Sequence, residues 1–237
     1  MRNKYFMAEE KGENLNITIY GDITSWEWLE SDVSSYTLSK LIQNSGAKTI
    51  TVSINSYGGE VSEGLAIYNA LRSHPAHVVT VCDGFACSAA SVVFMAGDER
   101  IMNEASLLMI HNAWTYASGS AEELRKQADD LDVISQTAAK TYLTHINISE
   151  EELQTMLTEE AWITPEDAIA KGFATAVREE NVSARQQYSA KRKIIRQLVE
   201  GKSVEGGEGQ PAAAGGTDIP EEPESGFRKL FDKFHAE

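Results

Sequence analysis

Ser88 lies in a run of small residues, FACSAAS, where a hydroxyl nucleophile could meet a substrate backbone at close range. It follows a strand-like segment and opens a helix-like one, so the amides beside it would be unpaired helix N-terminal donors. Such donors stabilise the oxyanion of acyl transfer, and the amide of Ala89 is the natural first one. An ordinary helix with a buried serine would show the same pattern, and the G-x-S-x-G signature is absent. This segment alone therefore favours the ordinary explanation.

His111 is the histidine best placed to act as a general base for that serine. It follows the apolar run SLLMI at 106–110, which is typical of a buried strand. Adjacent parallel strands end at the same edge of a sheet, so His111 could reach Ser88 from a neighbouring strand. A histidine at a strand end is more often a structural residue. The other histidines stand in turns, at a helix end or in the tail: His74, His77, His145 and His235.

The segment NSYGG at 55–59 supplies paired glycines directly after another strand-like run. Glycine adopts backbone conformations that other residues avoid, so Gly59 could present a second amide to the oxyanion. Tight turns also use paired glycines for packing alone. The pair therefore gains its weight from the combination with Ser88 and His111.

The elements that must position these residues alternate between the period-2 pattern of strands and the longer period of helices. Strands are predicted at 14–23, 48–54, 77–82, 106–110 and 173–177, with a small-residue turn at 83–87. Helices are predicted at about 32–44, 61–71, from Ser88 onward, and at 120–145, 149–157 and 165–171. Parallel strands need helical crossovers, so this alternation predicts an α/β fold with a largely parallel sheet.

Length, composition and charge indicate one compact domain without a nucleic-acid or membrane partner. The chain has 237 residues, 42% of them apolar, and a formal net charge of −15, which repels nucleic acid and anionic membranes. No apolar run suits a membrane span or a secretory signal, so we expect a cytoplasmic protein. We interpret Cys82 and Cys87 as buried, reduced thiols. No second Cys/His pair stands at zinc-ligand spacing, so no metal site is expected.

Composition divides the chain into a main domain and a tail. We place the main domain at 1–180 and a basic helical extension at 181–202. The stretch 203–224 is rich in Gly, Pro, Ala and acidic residues and cannot bury enough apolar surface to offset its conformational entropy. It is therefore predicted to be a disordered linker. A short amphipathic helix is predicted at 225–237.

Three motifs occur in order, INSYGGEVSEGLAIYNAL, GFACSAAS with MAG, and LLMIHNAW. Together they resemble the Clp protease proteolytic subunit family over about residues 15–178. The resemblance implies a serine peptidase in which Ser88 is the nucleophile and His111 is its base. It also implies that Gly59 and Ala89 give the two oxyanion amides.

The same resemblance implies an architecture and partners. The fold would be the ClpP/crotonase-like one, built of repeated β-β-α type units, with the helix at 120–145 as a long protruding handle. Substrates would be polypeptides, and no cofactor would be needed. The chain would form a homo-oligomeric ring, single or stacked in pairs, with the active sites facing an enclosed chamber.

The third member of the triad is the least direct part of the resemblance. The family's usual Asp before its F-L-[ST] segment corresponds to Glu160 in EEAWITPEDA. A carboxylate there would orient the imidazole and stabilise its cation, but a longer side chain changes the geometry. Glu159 and Asp167 are the competitors, and a solvated acidic residue at a helix end is the alternative explanation.

Several departures from the family pattern point to its phage and prophage branch, whose ClpP-like peptidases mature capsids. Tyr57 replaces the proline before the paired glycines, Ala89 and Ala90 replace Met-Gly, and the tail is additional. Capsid or scaffold proteins would then be the partners. The alternatives are a housekeeping subunit served by a Clp-type ATPase, a crotonase-type acyl-CoA enzyme, and a catalytically inactive assembly protein.

Overall fold

The computed structural model describes residues 7–27, 29 and 32–178, which all belong to one compact unit, Met1–Gln186. The strands are β1 (Met7–Lys11), β2 (Asn14–Ile19), β3 (Thr49–Ser56), β4 (His77–Cys87), β5 (Glu99–Asn103), β6 (Leu107–Met109), β7 (Trp162–Ile163) and β8 (Ala176–Arg178). The helices are α1 (Ser35–Asn44), α2 (Val61–Ser73), α3 (Ala89–Phe94), α4 (Ala121–Leu143), α5 (Glu150–Thr158) and α6 (Pro165–Lys171). The predicted basic extension, linker and terminal helix lie outside the described residues, and their boundaries stay predictions.

In this part of the chain, eight strands form a sheet that is parallel except for two pairs. Its order is β1-β2-β3-β4-β5-β8, and β6 joins β4 and β7 off this path. The antiparallel pairs are β1 with β2 and β6 with β7. The helices α2 and α3 cross over between β3, β4 and β5, as parallel neighbours require. The predicted α/β fold with a largely parallel sheet is confirmed.

The core lies where the sheet meets the helices. Leu15, Ile17 and Ile19 of β2 are at most 2% exposed, as their alternation with polar residues predicted. Every residue of α3 is buried, so this short helix packs at the centre of the fold. Gly64 lets α2 approach it closely, because a Cβ at Gly64 would come 3.0 Å from the Cβ of Ala89. The segment that follows Ser88 is thus firmly enclosed.

β4 is longer than predicted, and its two halves have different neighbours. The turn predicted at 83–87 is instead the second half of the strand, so that prediction was wrong. β5 pairs with residues 79–82 of β4, and β6 pairs with residues 85–87. β3 has a register shift at this level, where the Asn55 side chain accepts the Phe85 N–H at 3.1 Å. The residues at 83–87 therefore lie where β4 changes its pairing partner from β5 to β6, and they do not form a turn.

The predicted long helix is present as α4. Its predicted capping box is present too, because the Ser120 hydroxyl accepts the Glu123 N–H while the Glu123 carboxylate accepts the Ser120 N–H at 2.7 Å. Residues 121–130 are all exposed, whereas Ala139 and Tyr142 near the other end are buried. The N-terminal half of α4 therefore lies clear of the core.

Candidate active site

Ser88 stands at the junction of β4 and α3 in a backbone conformation that L-residues rarely adopt. It is the N-cap residue of α3, with φ 52° and ψ −125°. Its N–H donates to the Met109 carbonyl at 2.8 Å, and its own carbonyl accepts the Ser91 hydroxyl at 2.6 Å. Hydrogen bonds on both sides therefore hold the strained residue in place, as such a conformation requires.

His111 reaches Ser88 from the neighbouring strand. Its Nε2 lies 2.8 Å from the Ser88 Oγ, within the distance needed to accept the hydroxyl proton. β6 runs parallel to the end of β4. His111, two positions after the last residue of β6, therefore lies beside Ser88, which directly follows β4. The structure thus brings together the two side chains that the sequence placed at strand ends.

The backbone around His111 is anchored to neighbouring elements. The N–H groups before and after it donate to the carbonyls of Ala161 and Leu157 at 3.1 and 3.2 Å. One residue further, the Ala113 N–H donates to the Ser135 hydroxyl of α4 at 2.9 Å. The backbone that carries the imidazole is therefore fixed by contacts with α4 and α5.

Burial is the main influence on the basicity of His111. Desolvation disfavours the imidazolium and lowers the pKa of His111 below its usual 6.5. The negative charge of Glu160 and a backbone hydrogen bond at Asn112 act in the opposite direction, toward a higher pKa. Because burial outweighs them, the imidazole is neutral at neutral pH and able to accept a proton.

Glu160 is the carboxylate whose charge acts on His111, whereas its two competitors lie in other arrangements. The Asp167 N–H donates to the Thr164 hydroxyl at 3.2 Å in the cap of α6, and Glu159 is the C-cap residue of α5. Within the described ranges no hydrogen bond joins Glu160 to His111. Glu160 therefore acts on the imidazole through its charge rather than through direct contact.

Glu160 occupies a backbone position where helices usually have glycine. It has φ 53° and follows the C-cap residue Glu159, while the Ala161 N–H donates to the Met156 carbonyl at 3.0 Å. This is the longer of the two hydrogen bonds of a Schellman motif, whose left-handed residue is usually glycine because glycine has no Cβ. Among the described residues other than glycine, Ser88 and Glu160 are the two with positive φ. Both strained positions fall in the candidate site, which is where such conformations are retained for function.

The paired glycines follow β3 as a short extended segment beside Ile23. The Ile23 N–H donates to the Gly58 carbonyl, and the Ile23 carbonyl accepts the Glu60 N–H, both at 2.8 Å. In this parallel pairing the N–H of Gly59 points away from Ile23. The N–H of Gly59 is therefore not used in the pairing with Ile23.

Gly58 allows this segment to touch the serine. A Cβ at Gly58 would come 2.6 Å from the Cys87 carbonyl oxygen, 2.9 Å from the Ser88 Cβ and 3.0 Å from the Ala89 nitrogen. Ala89 is the first residue of α3, where an amide has no intrahelical acceptor. The structure thus places Ala89 and Gly58, the residue before Gly59, against the serine.

Two further residues fix the backbone of Ser88, and the sequence alone did not indicate them. The Ser91 hydroxyl donates to the Ser88 carbonyl and lies 2.7 Å from the hydroxyl of Tyr142 in α4. The Ser91 hydroxyl proton already goes to the Ser88 carbonyl, so the Tyr142 hydroxyl is the donor to Ser91. Burial raises the pKa of Tyr142 to about 12, so this donor keeps its proton at neutral pH. Ser91 and Tyr142 are 51 positions apart, and no spacing rule connects them.

The two cysteines are free and buried, as predicted. Burial raises the pKa of Cys82 to about 11 and that of Cys87 to about 12, so both thiols stay protonated at neutral pH. In the portion of the chain that is described, no group of three or more His, Cys, Asp or Glu side chains could hold a metal ion. No helix in that portion is long and apolar enough to cross a membrane.

Comparison with known proteins identifies relatives of the chain. The family model for Clp protease matches residues 13–181. The ATP-dependent Clp protease proteolytic subunit of Deinococcus radiodurans is 35% identical over 130 residues, which cover 54% of this chain and 64% of that protein. The protein of the same name from Carsonella ruddii is 34% identical over 125 residues, which cover 51% of this chain.

The matched segment spans 64% of the length of each of these relatives. The family match covers most of the present chain, including every candidate site residue, and the relatives' names, which say proteolytic subunit, agree with the predicted peptidase class. The chain belongs to the Clp protease family.

Proposed function

We propose that this chain is a serine endopeptidase that cleaves polypeptides through an acyl-enzyme intermediate. The observation that carries the proposal is the 2.8 Å separation of Ser88 Oγ and His111 Nε2 at the ends of two parallel strands. Family membership supports it independently, because the relatives are named as proteolytic subunits.

In the acylation step, His111 Nε2 takes the hydroxyl proton while Ser88 Oγ attacks the carbonyl carbon of the scissile bond. The amides of Gly59 and Ala89 donate to the oxyanion that forms. The imidazolium then gives its proton to the leaving amine, and the peptide bond breaks. In deacylation the neutral imidazole removes a proton from water, whose oxygen attacks the acyl carbon. The imidazolium then returns that proton to Ser88 Oγ as the ester bond breaks and the new carboxyl terminus leaves.

Glu160 has an electrostatic part in this mechanism. Its negative charge stabilises the imidazolium that exists between the two proton transfers, which desolvation alone would make costly. Because no hydrogen bond joins the two side chains in the described residues, the imidazole orientation depends on the anchored backbone at His111 instead. Glu160 thus completes the triad as the third proposed member.

The polypeptide would bind as an added strand beside the segment that follows His111. Residues 112–119 belong to no helix or strand, and residues 114–119 are exposed. An extended substrate can add main-chain hydrogen bonds along such an exposed segment and so present its carbonyl to Ser88. The exposed half of α4 starts directly after this segment and is the surface we assign to contacts between copies in a homo-oligomeric ring.

The finer identity that we propose is a phage or prophage capsid maturation peptidase acting in an oligomeric chamber. The support is the set of departures from the family pattern, Tyr57 and Ala89-Ala90, together with the additional tail. The two free, buried cysteines fit the reducing cytoplasm, where we place the protein. Portal and major capsid genes beside the coding gene would support this identity.

The competing identity is a housekeeping subunit fed by a Clp-type ATPase, and the names of the two relatives favour it. Adding a Clp-type ATPase with ATP to the purified protein and a folded substrate separates the two. ATP-dependent degradation would establish the housekeeping identity. Cleavage of a cognate capsid or scaffold protein without ATPase would establish the phage identity.

The activity itself is tested by comparing the intact chain with a Ser88→Ala variant on casein and on fluorogenic peptides. We expect cleavage by the intact chain and none by the variant. Equal cleavage by both would refute the mechanism. Absence of cleavage by both, with hydrolysis of an acyl-CoA thioester or with no activity at all, would favour the crotonase-type enzyme or the inactive assembly protein. Sedimentation at the monomer mass would refute the ring.

A further inference from the structure

The backbone carbonyl of Ser88 accepts a hydrogen bond that an ordinary helix start does not have. The Ser91 hydroxyl donates to this carbonyl at 2.6 Å, within the short range of O–H···O bonds. The same carbonyl also accepts the N–H groups of Ser91 and Val92 at 2.9 and 3.3 Å, which are the bonds of the first turn of α3. The hydroxyl bond is therefore an additional constraint on the carbonyl.

The Ser91 hydroxyl is itself held by a second hydroxyl from α4. The Tyr142 hydroxyl donates to it across 2.7 Å, and the Tyr142 ring packs near Phe173 with 6.0 Å between the ring centroids. Ser91 is 1% exposed and Tyr142 is 2% exposed. Both hydroxyls are thus shielded from solvent, where hydrogen bonds are electrostatically stronger than in water. We call the Tyr142 hydroxyl, the Ser91 hydroxyl and the Ser88 carbonyl the hydroxyl relay.

The carbonyl that ends the hydroxyl relay shares its peptide group with a proposed oxyanion donor. The C=O of Ser88 and the N–H of Ala89 belong to one planar trans peptide, in which the two bonds point in opposite directions. A hydrogen bond that fixes the oxygen therefore also fixes the direction of the N–H. It polarises the amide as well, which makes the N–H a better donor.

The orientation of this peptide group depends on a strained bond. Ser88 has φ 52° and ψ −125°, and rotation about ψ would swing the Ala89 N–H to a new direction. Such a conformation persists only where the surroundings hold it. The Met109 carbonyl holds the amino side of Ser88 by accepting its N–H at 2.8 Å. The hydroxyl relay adds a hold on the carboxyl side.

We propose that Ser91 and Tyr142 are positioning residues that hold and polarise the Ala89 N–H for the tetrahedral oxyanion. The inference rests on the proposed peptidase function. Both side chains act through the Ser88 carbonyl and neither touches the reacting atoms. Because the oxyanion exists in the transition state and not in the bound substrate, the hydroxyl relay should affect kcat and leave KM unchanged.

The test compares Ser91→Ala, Tyr142→Phe and the double variant with the wild-type protein on one fluorogenic peptide. Loss of a whole oxyanion donor costs roughly 10²–10³ in kcat, but here the donor stays and loses only alignment and polarisation, so we expect about a tenfold loss in Ser91→Ala. Tyr142→Phe keeps the Ser91 bond and should lose about threefold. The double variant should lose no more than Ser91→Ala, because Tyr142 acts through Ser91.

Ser106→Ala is the matched control. Ser106 is 4% exposed, and its hydroxyl donates at 2.7 Å to the carbonyl of Asn103, three residues earlier, as the Ser91 hydroxyl does to Ser88. This variant should lose stability as Ser91→Ala does and keep the wild-type kcat. Ser91→Thr retains the hydroxyl, so it should keep more of kcat than Ser91→Ala even where its extra buried methyl group lowers Tm.

A peptide aldehyde gives a second readout that a merely structural role would not move. Its tetrahedral adduct with Ser88 places an oxygen where the oxyanion forms, so its Ki should rise by the factor by which kcat falls. The acid midpoint of the rate profile should stay in place, because the hydroxyl relay does not contact His111.

Several outcomes would overturn the relay. These are an unchanged kcat in Ser91→Ala, single losses that multiply in the double variant, a loss that appears in KM alone, and an equal loss of kcat in Ser106→Ala. Should Ser91→Ala unfold, Tyr142→Phe decides, because it removes one oxygen atom, and an unchanged kcat and aldehyde Ki refute the relay.

The wild-type protein keeps this proposal separate from the proposed function. If a fluorophosphonate does not label wild-type Ser88 and no peptide is cleaved, the proposed function fails. If wild-type Ser88 is labelled and peptides are cleaved, but Ser91→Ala cleaves as fast as the wild-type protein, only the relay fails.

Discussion

Replacing Glu160 with glycine should make the protein more stable and less active. Glu160 has φ 53° at the left-handed position of the Schellman motif that ends α5. A residue with a Cβ pays about 1–2 kcal/mol for that conformation. Glycine removes this cost but adds about 0.4–1 kcal/mol of conformational entropy to the unfolded chain. The net gain is on the order of 0.5–1 kcal/mol, which corresponds to a rise of about 2 °C in Tm for a chain of this size.

The same substitution removes the charge that acts on His111, so activity should fall. A hydrogen-bonded triad carboxylate contributes roughly 10⁴-fold to kcat in other serine peptidases. Glu160 acts through its charge alone, so we expect about a tenfold to hundredfold loss. The loss of the charge also lowers the pKa of His111 further, since the carboxylate is the group that raises it. The acid limb of the rate profile should therefore move to lower pH.

Glu160→Gln separates the two effects, because it removes the charge and keeps the backbone strain. It should show the same kinetic loss and the same pH shift as Glu160→Gly without the gain in Tm. Thermal unfolding followed by circular dichroism and a pH series of kcat/KM on one peptide measure both quantities. A lower Tm for Glu160→Gly would refute the strain argument, and unchanged kcat in both variants would remove Glu160 from the mechanism.

Three further predictions follow from the geometry. Because burial lowers the pKa of His111, kcat/KM should fall at acid pH with an apparent pKa below 6.5. A midpoint above that value would contradict the desolvation argument. Gly59 has φ +141°, and the new Cβ of Gly59→Ala would clash with the Ile23 backbone, so kcat should fall at least about a hundredfold. Gly46→Ala is the control, because its Cβ would meet no atom within 4 Å, and it should leave kcat unchanged. The thiols of Cys82 and Cys87, buried and with pKa values of about 11 and 12, should react with iodoacetamide at pH 8 only after denaturation, so rapid labelling of the folded protein would contradict their burial.

The alternation of strands and helices was enough to predict the α/β sheet and to allow a meeting of Ser88 with His111, which the family resemblance then implied. That meeting follows from one rule, that parallel neighbours end at the same edge, once both residues are placed at strand ends. The sequence did not reveal β5. Its Arg100 is buried and donates to the carbonyls of Gly97 and Phe173 at 2.9 and 2.8 Å, so a charged residue occupies a core position and hides the period-2 pattern.

The supporting details of the site were beyond sequence reasoning for a similar reason. The left-handed conformation of Glu160 has no local signal, because the residue that marks a Schellman motif is glycine and the chain has a carboxylate there. The bond between Ser91 and Tyr142 depends on tertiary packing of α3 against α4. The edge-to-face ring contacts of Tyr57, Phe85 and Trp162 likewise join three segments that are distant in the chain.

The pairing of Ser88 with His111 can be tested by reaction of the intact protein with a fluorophosphonate, followed by mass spectrometry of the labelled peptide. We expect one modified residue, Ser88, and a labelling rate that falls sharply in a His111→Ala variant, because the hydroxyl loses its base. Modification of another residue instead, or equal labelling rates in the two proteins, would contradict the pairing of Ser88 with His111.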